Sequence, residues 1–374
     1  MNKSKLLAST VLVSAATMMA AGPVSAAKLS LGGYFEQWIG WADADNLSGL
    51  QNKLDIKQDS EIYFSFKEKL DNGLTVGGRM EMEAGAGNND GISAGNDATP
   101  NSGNTQGAGF DEASVYVSGS FGKVQLGNND VAAAYTGGIS VVGPVGHIKS
   151  DAGDWLYYGS AMNNTDLDLG IGDAGNITYW TPKIGGLQLI ASYTPDSSDS
   201  LIGDYDAGET AGAHNHVSMS LQYHGKVDGG KFKIAGGLST VENTDASGDD
   251  QEYGFNVAAD VTMGSFRVTA AYAHEYDTND DDIFWGIGVR YKLDKVNEIS
   301  VGYGNSETQA GTGGTDETTK LYTLGYNRNM GKGVNFAASL FKADHDDSTA
   351  AGAQTGRNRD VNDFGIVGGI RVNF

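Results

Sequence analysis

Cysteine is absent from the 374 residues, which removes disulfides, thiolate nucleophiles and thiolate metal sites together. Cations are scarce: 25 Lys and Arg against 47 Asp and Glu leave a formal charge of -22. Nucleic acid is excluded as a partner, because phosphate binding needs clustered Lys and Arg. Beyond the N-terminal leader no stretch approaches the roughly 18 continuous apolar residues that a membrane-crossing helix needs. There is no GxSxG elbow, no HExxH and no Walker loop, so the chain does not read as an enzyme. Of the six histidines, His147, His224, His274 and His345 are scattered, and only His214 and His216 sit together, in what reads as a polar loop. Proline is rare at 5 and glycine abundant at 55. That much glycine ordinarily marks low complexity, yet here it stands inside alternating segments and at turns, where it leaves interior space and permits tight curvature.

Residues 1–26 read as a secretory signal peptide. Lys3 and Lys5 form the charged start, residues 6–21 the apolar run, and Val24-Ser25-Ala26 precede a cut at Ala27. The mature chain, 27–374, then has 374 − 26 = 348 residues, and losing two lysines takes its charge from -22 to -24. A length prior would divide such a chain into two or three soluble domains; a single barrel escapes that prior.

What the chain does have is alternation of period two. In residues 363–374, Phe364, Ile366, Gly368, Ile370, Val372 and Phe374 share one face, while Asp363, Gly365, Gly369, Arg371 and Asn373 share the other. One face suits hydrocarbon and the other water, the pattern of a transmembrane strand. Residues 28–43 set Leu31, Phe35, Ile39 and Trp41 against Ser30, Tyr34, Glu36 and Trp38. Residues 60–70 set Ile62, Phe64 and Phe66 against Glu61, Tyr63, Ser65 and Lys67, and Asn72-Gly73 then signals a tight hairpin. In residues 74–84, Val76, Gly78, Met80 and Met82 face outward, with Arg79, Glu81 and Glu83 inward. So charged an inner face cannot be a dry core, which separates a water-filled barrel from a soluble sandwich.

Short connections near Asn72, Ser120, Gly185, Gly229, Gly264, Asp294 and Gly331 alternate with long ones at 44–59, 85–109, 130–175, 196–215, 242–251, 277–282, 306–318 and 343–362. Seven turns and eight loops join sixteen strands, an even number as a closed transmembrane barrel requires. Tyr193, Tyr223, Trp285, Tyr291 and Tyr303 fall toward strand ends, where aromatic rings suit the membrane interface.

The leader, the strand count, the run Phe121-Gly122-Lys123-Val124-Gln125-Leu126-Gly127 and the closing DFGIVGGIRVNF resemble the general diffusion porins of Gram-negative outer membranes, the alphaproteobacterial branch above all. The resemblance implies an all-β, 16-stranded antiparallel transmembrane barrel whose long third loop folds inward. It further implies a homotrimer with one pore per barrel, set among outer-membrane lipid and lipopolysaccharide, passing ions and small hydrophilic solutes without a cofactor. One departure is Asn128-Asn129-Asp130, where many members carry arginine; it implies a weaker positive wall here.

Residues 130–175 are the stretch expected to set permeability, since so long a loop without function is uncommon. They carry Asp151, Asp154, Asp166, Asp168 and Asp173, with Lys149 and His147 as the cationic side chains. Folded inward, these carboxylates would oppose Lys67, Arg79 and Lys123, while Glu81, Glu83 and Glu112 add negative charge to the wall. Rows of Asp and Glu favour cations, so a mild cation preference is expected. Arg267 and Arg290 are also expected to line the pore, whereas Arg328 and Arg371 lie near turn-side strand ends and read as partners of headgroups or neighbouring carboxylates. Acidic tips recur at Asp249 and Asp250, at Asp277 with Asp280, Asp281 and Asp282, and at Asp344, Asp346 and Asp347. Such oxygen clusters suit Ca²⁺, but residues 277–282 lack the Gly and distal Glu of an EF-hand, and solvated loop tips are the weightier reading. Two other functions stay open: a sugar-selective channel using Tyr34, Trp38, Tyr63 and Tyr116, and a structural or adhesive barrel with a plugged lumen.

Overall fold

The computed structural model describes residues 28–45, 53–83, 110–137, 155–156, 166–197, 212–245, 248–277, 280–310, 316–347 and 360–374. Sixteen antiparallel strands follow in chain order: β1 (Leu29–Ala44), β2 (Leu54–Lys69), β3 (Thr75–Glu83), β4 (Phe110–Gly119), β5 (Gly122–Asn128), β6 (Gly175–Trp180), β7 (Leu187–Asp196) and β8 (Gly212–Val227) make the first half. The second half is β9 (Gly230–Asp245), β10 (Gly248–Met263), β11 (Phe266–Tyr276), β12 (Asp280–Lys292), β13 (Asn297–Ala310), β14 (Glu317–Gly331), β15 (Val334–Asp347) and β16 (Asp360–Asn373). Each strand pairs with the next and β1 pairs with β16, so the sheet closes into a barrel without edges.

The alternation in the sequence is the alternation of the wall. Phe35, Ile39, Leu221, Leu238, Ile287, Leu324 and Ile366 are exposed on the outside, while Tyr34, Glu36, Ser220, Ser239, Thr323 and Val367 are buried on the inside. An apolar outer belt of this extent belongs against hydrocarbon. Rings brace neighbouring strands on that face: Trp285, Tyr303 and Tyr322 run across three strands with centroids 5.2 and 5.1 Å apart, and Phe266 lies 4.7 Å from Tyr291. At the first hairpin Gly73 adopts φ 85°, the left-handed region that a side chain would resist.

Several loops are shorter than the polar runs imply. β2 begins at Leu54 rather than near residue 60, and β9 and β10 come within two residues of each other. A strand of 16 residues, such as β9, spans about 53 Å, and tilted it still outreaches the roughly 25 Å apolar band. The strand therefore continues into water, where alternation of polarity no longer marks it.

Candidate functional site

The functional surface of a closed barrel is its interior, and here the connection between β5 and β6 enters it. Ala132 N donates to Ser192 Oγ of β7 at 2.8 Å, and Ala133 N to Ser218 Oγ of β8 at 2.7 Å. Asn256 of β10 donates to the Ala133 carbonyl at 3.1 Å, and Gln222 and Lys233 donate to the Tyr135 carbonyl at 3.0 and 2.8 Å. Thr136, in the single helical turn α1 (Ala134–Gly137), meets the Ser220 hydroxyl at 2.5 Å. Ser192, Ser218, Ser220, Gln222 and Asn256 are all buried inward-facing residues. A loop placed inside must have its backbone polar groups satisfied, and this row of small polar side chains supplies the partners.

The same loop brings apolar side chains inside. Trp155, Leu156 and Leu167 join Trp38, Phe284, Leu321, Phe341 and Val367 in one buried cluster. Inward glycines make room for them: a Cβ on Gly254 would stand 2.9 Å from Leu167, one on Gly365 3.1 Å from Leu156, and one on Gly40 would run into the Trp155 indole. The wet inner face expected from Arg79, Glu81 and Glu83 does not extend all round the barrel. On the β10–β16 side, together with β1, the interior is partly dry because residues far away in sequence cover it.

Charged side chains line the wall on β1 to β5 and again on β10 to β12. Arg79 Nε stands 2.5 Å from Glu81 Oε1, and its guanidinium lies over the Tyr63 ring at 3.8 Å. Tyr34 donates to Glu61 at 2.8 Å and to Asp59 at 3.2 Å, and Tyr63 also donates to Glu61. Lys123 donates to Gln125 at 2.9 Å and sits 3.3 Å over Trp180. Lys67 is exposed on the inward register of β2. Glu112, Asp130 and Asp173 bring carboxylate oxygens within 4.8 Å of one another, joining β4 to both ends of the loop. Asp166 is exposed, and Asp168 Oδ1 accepts from Gly170 N at 3.3 Å. Asp151, Asp154 and the Glu83 side chain lie outside the described residues. Arg267 and Arg290 face each other across the β11–β12 pairing, Arg267 gripping Asp260 through Nη2 at 2.6 Å.

Several placements differ from the sequence reading: Asp249 and Asp250 belong to β10, and Asp344, Asp346 and Asp347 to β15, instead of loop tips. Asp280, Asp281 and Asp282 belong to β12 instead of a loop tip. Alternation turns Asp281 and Asp282 to opposite faces; Asp281 stands 4.0 Å from His274, and Asp282 accepts from Thr308 at 2.6 Å. His214 and His216 lie on β8, separated by a bulge at Asn215, with His216 buried inward and His214 3.6 Å from Glu242. Sequence reasoning also passed over Glu36 as a site residue, although its inward position was apparent. Fully buried, it takes Arg371 at 2.5 Å and the Trp38 indole at 2.9 Å.

A closed sixteen-stranded barrel with an apolar belt, a charged inner wall and residues 132–136 held against the inside of β7 to β10 invites comparison with membrane channels. The family model for Gram-negative porins matches residues 8–348. The chain belongs to the Gram-negative porin family. As a porin it is an outer-membrane channel protein and not an enzyme. Among solved structures, the anion-selective porin from Comamonas acidovorans has a TM-score of 0.64 at 16% identity, over 93% of this chain and 100% of that one. The outer membrane protein OmpT of Vibrio cholerae, in a trimer form, gives 0.60 at 14% identity over 94% and 100%. A mutant of the Rh. blastica porin gives 0.55 at 16% identity over 93% and 100%. These likenesses establish the fold. No curated protein matches at the level of sequence.

Proposed function

We propose that this porin passes ions and small hydrophilic solutes by diffusion, with a mild preference for cations, and that residues 130–175 narrow its lumen. The observation that carries the reading is the carboxylate trio of Glu112, Asp130 and Asp173 where the loop leaves and rejoins the wall. Beside it, Glu61 and Glu81 leave Arg79 as a locally outnumbered cation. Carboxyl groups this close share protons, and the net negative charge they keep raises the local cation concentration. The anion selectivity of the Comamonas protein does not transfer at 16% identity, and Asn128, Asn129 and Asp130 bring no arginine to the corresponding wall.

Export through a leader cleaved before Ala27, contact with lipopolysaccharide and a homotrimeric state complete the proposal; the trimer form of the Vibrio neighbour supports the last. Pore-lining roles go to Lys67, Arg79, Glu81, Glu83, Glu112, Lys123, Arg267 and Arg290 on the wall and to Asp151, Asp154, Asp166 and Asp168 on the loop. A sugar track is disfavoured, because Tyr34 and Trp38 are buried at 2% and 1% exposure and their polar atoms are engaged. The packed cluster around Trp155 favours one other reading, a barrel closed by its own loop. Reversal potential across a bilayer in a salt gradient tests both: a cation-signed potential is expected, an anion-signed one rejects the selectivity, and absent conductance selects the closed barrel.

A further inference from the structure

At the turn side of the barrel, the inner faces around β9 to β13 and the β10–β11 turn form an open cavity of about 370 Å³ lined in part by Lys231, Asp260, Arg267, Arg290, Lys292 and Glu298. Four of these side chains are cationic and two anionic, a local balance of 4 − 2 = +2 in a chain whose formal charge is -22. The two carboxylates have cationic neighbours within the lining. Asp260 takes a two-pronged contact from Arg267, Nε to Oδ1 at 3.0 Å and Nη2 to Oδ2 at 2.6 Å, and Glu298 stands opposite Lys292 in the β12–β13 register. Asp260 also lies opposite Lys233 in the β9–β10 register, a further cation on the same carboxylate.

Arg267 and Arg290 are direct register partners. Like charges so placed repel across a sheet; Asp260 offsets the Arg267 charge, and an oxyanion seated in the cavity would add to that offset. Guanidinium forks suit tetrahedral oxyanions, with ammonium groups adding point charge. Opposite Arg290 on β13, Ser300 is 3% exposed and its hydroxyl has no hydrogen-bond partner among the described residues, which leaves a further donor on this inward face. The volume falls at the lower end of small-ligand sites, roughly 300–1,000 Å³.

We propose that this cavity is a subsite for the phosphate group of small phosphate-bearing solutes, at the end of the barrel formed by the short turns. The net +2 that the lining keeps after its two carboxylates are counted matches a dianion better than a carboxylate's single charge. The inference rests on the channel reading for solute access, but its location and its sign of charge are separate from those of the carboxylate trio.

Inorganic phosphate is the probe. Added to single channels in a planar bilayer at fixed ionic strength, it is expected to reduce the chloride-salt current saturably. The double variant Arg290→Gln/Lys292→Gln should raise the half-effective concentration by about ten-fold or more, as loss of charge-assisted hydrogen bonds implies. Lys231→Gln, on another strand, should raise it in the same direction. Because the bilayer lipid is constant, a response to free phosphate identifies a solute site and not a headgroup site. A current response no different from that to chloride at matched ionic strength overturns the proposal while leaving the channel intact. Calorimetric titration of folded, detergent-solubilised protein with phosphate reads the same site without current: saturable heat lost in the double variant supports it, and absent heat overturns it even if the barrel does not conduct.

Discussion

Glu36 and Arg371 are 335 positions apart, stand opposite each other in the β1–β16 register, and join at 2.5 Å on the inside of the closing seam. Glu36 is fully buried, and the Arg371 guanidinium lies 3.7 Å over the Tyr34 ring. Removing one partner strands the other charge. Glu36→Gln or Arg371→Gln should each cost about 3 kcal/mol, read as a lower urea midpoint for the folded barrel in lipid. An unchanged midpoint for both would show that the pair does not hold the seam.

The wall behind the third loop has no room to spare. Gly40→Val should push the Trp155 indole off β1, at an overpacking cost of about 1–3 kcal/mol. Gly254→Val should do the same to Leu167. The expected readouts are a red-shifted tryptophan emission for Gly40→Val and altered single-channel conductance for both. Conductance and emission identical to the parent would mean that the loop does not rest there.

Charge at the loop's two ends should set the sign of selectivity. Glu112→Gln combined with Asp173→Asn removes two of the three clustered carboxylates, and the reversal potential in a salt gradient should move toward the anion side. Lys67→Gln, on the inward register of β2, should move it the other way.

Leu238, 62% exposed on the outer face of β9, meets hydrocarbon. Leu238→Arg should cost about 2–4 kcal/mol if it lies near mid-membrane, whereas Ser239→Ala, on the inner face, should cost much less. Equal effects on the folding midpoint would contradict the assigned inside and outside.

The turn between β12 and β13 carries a pH dependence. Asp294 accepts hydrogen bonds from the Val296 amide at 2.8 Å, the Asn297 side chain at 2.6 Å and the Asn297 amide at 2.9 Å. These hold its carboxyl below the usual carboxylate range, the Val296 bond contributing most. A depressed value means stability that is present above the ordinary carboxylate pKa of about 3.9 and lost as pH falls through the depressed one. The stability difference between the parent and Asp294→Asn should therefore exist at neutral pH and vanish in acid. A difference independent of pH would assign the effect to shape alone.

The barrel was legible because its signal is local. Phe364, Ile366 and Ile370 against Asp363 and Arg371 repeat every second residue, and Asn72-Gly73 marks a turn by its own chemistry. What stayed hidden depends on distant residues. Nothing near Trp155 in the sequence indicates that it will cover Gly40, and nothing near Asp282 indicates that the strand continues past the membrane to place it opposite Thr308. Arg79 was readable as inward, but its capture by Glu81 and Tyr63 was not, since it depends on rotamers of neighbours on two strands.

Gly40, Gly254 and Gly365 are hollows cut to the outlines of Trp155, Leu167 and Leu156. Barrel and insert are therefore mould and casting. A foreign third segment transplanted from another channel would find recesses of the wrong size, so changing what this protein admits calls for recutting both surfaces together.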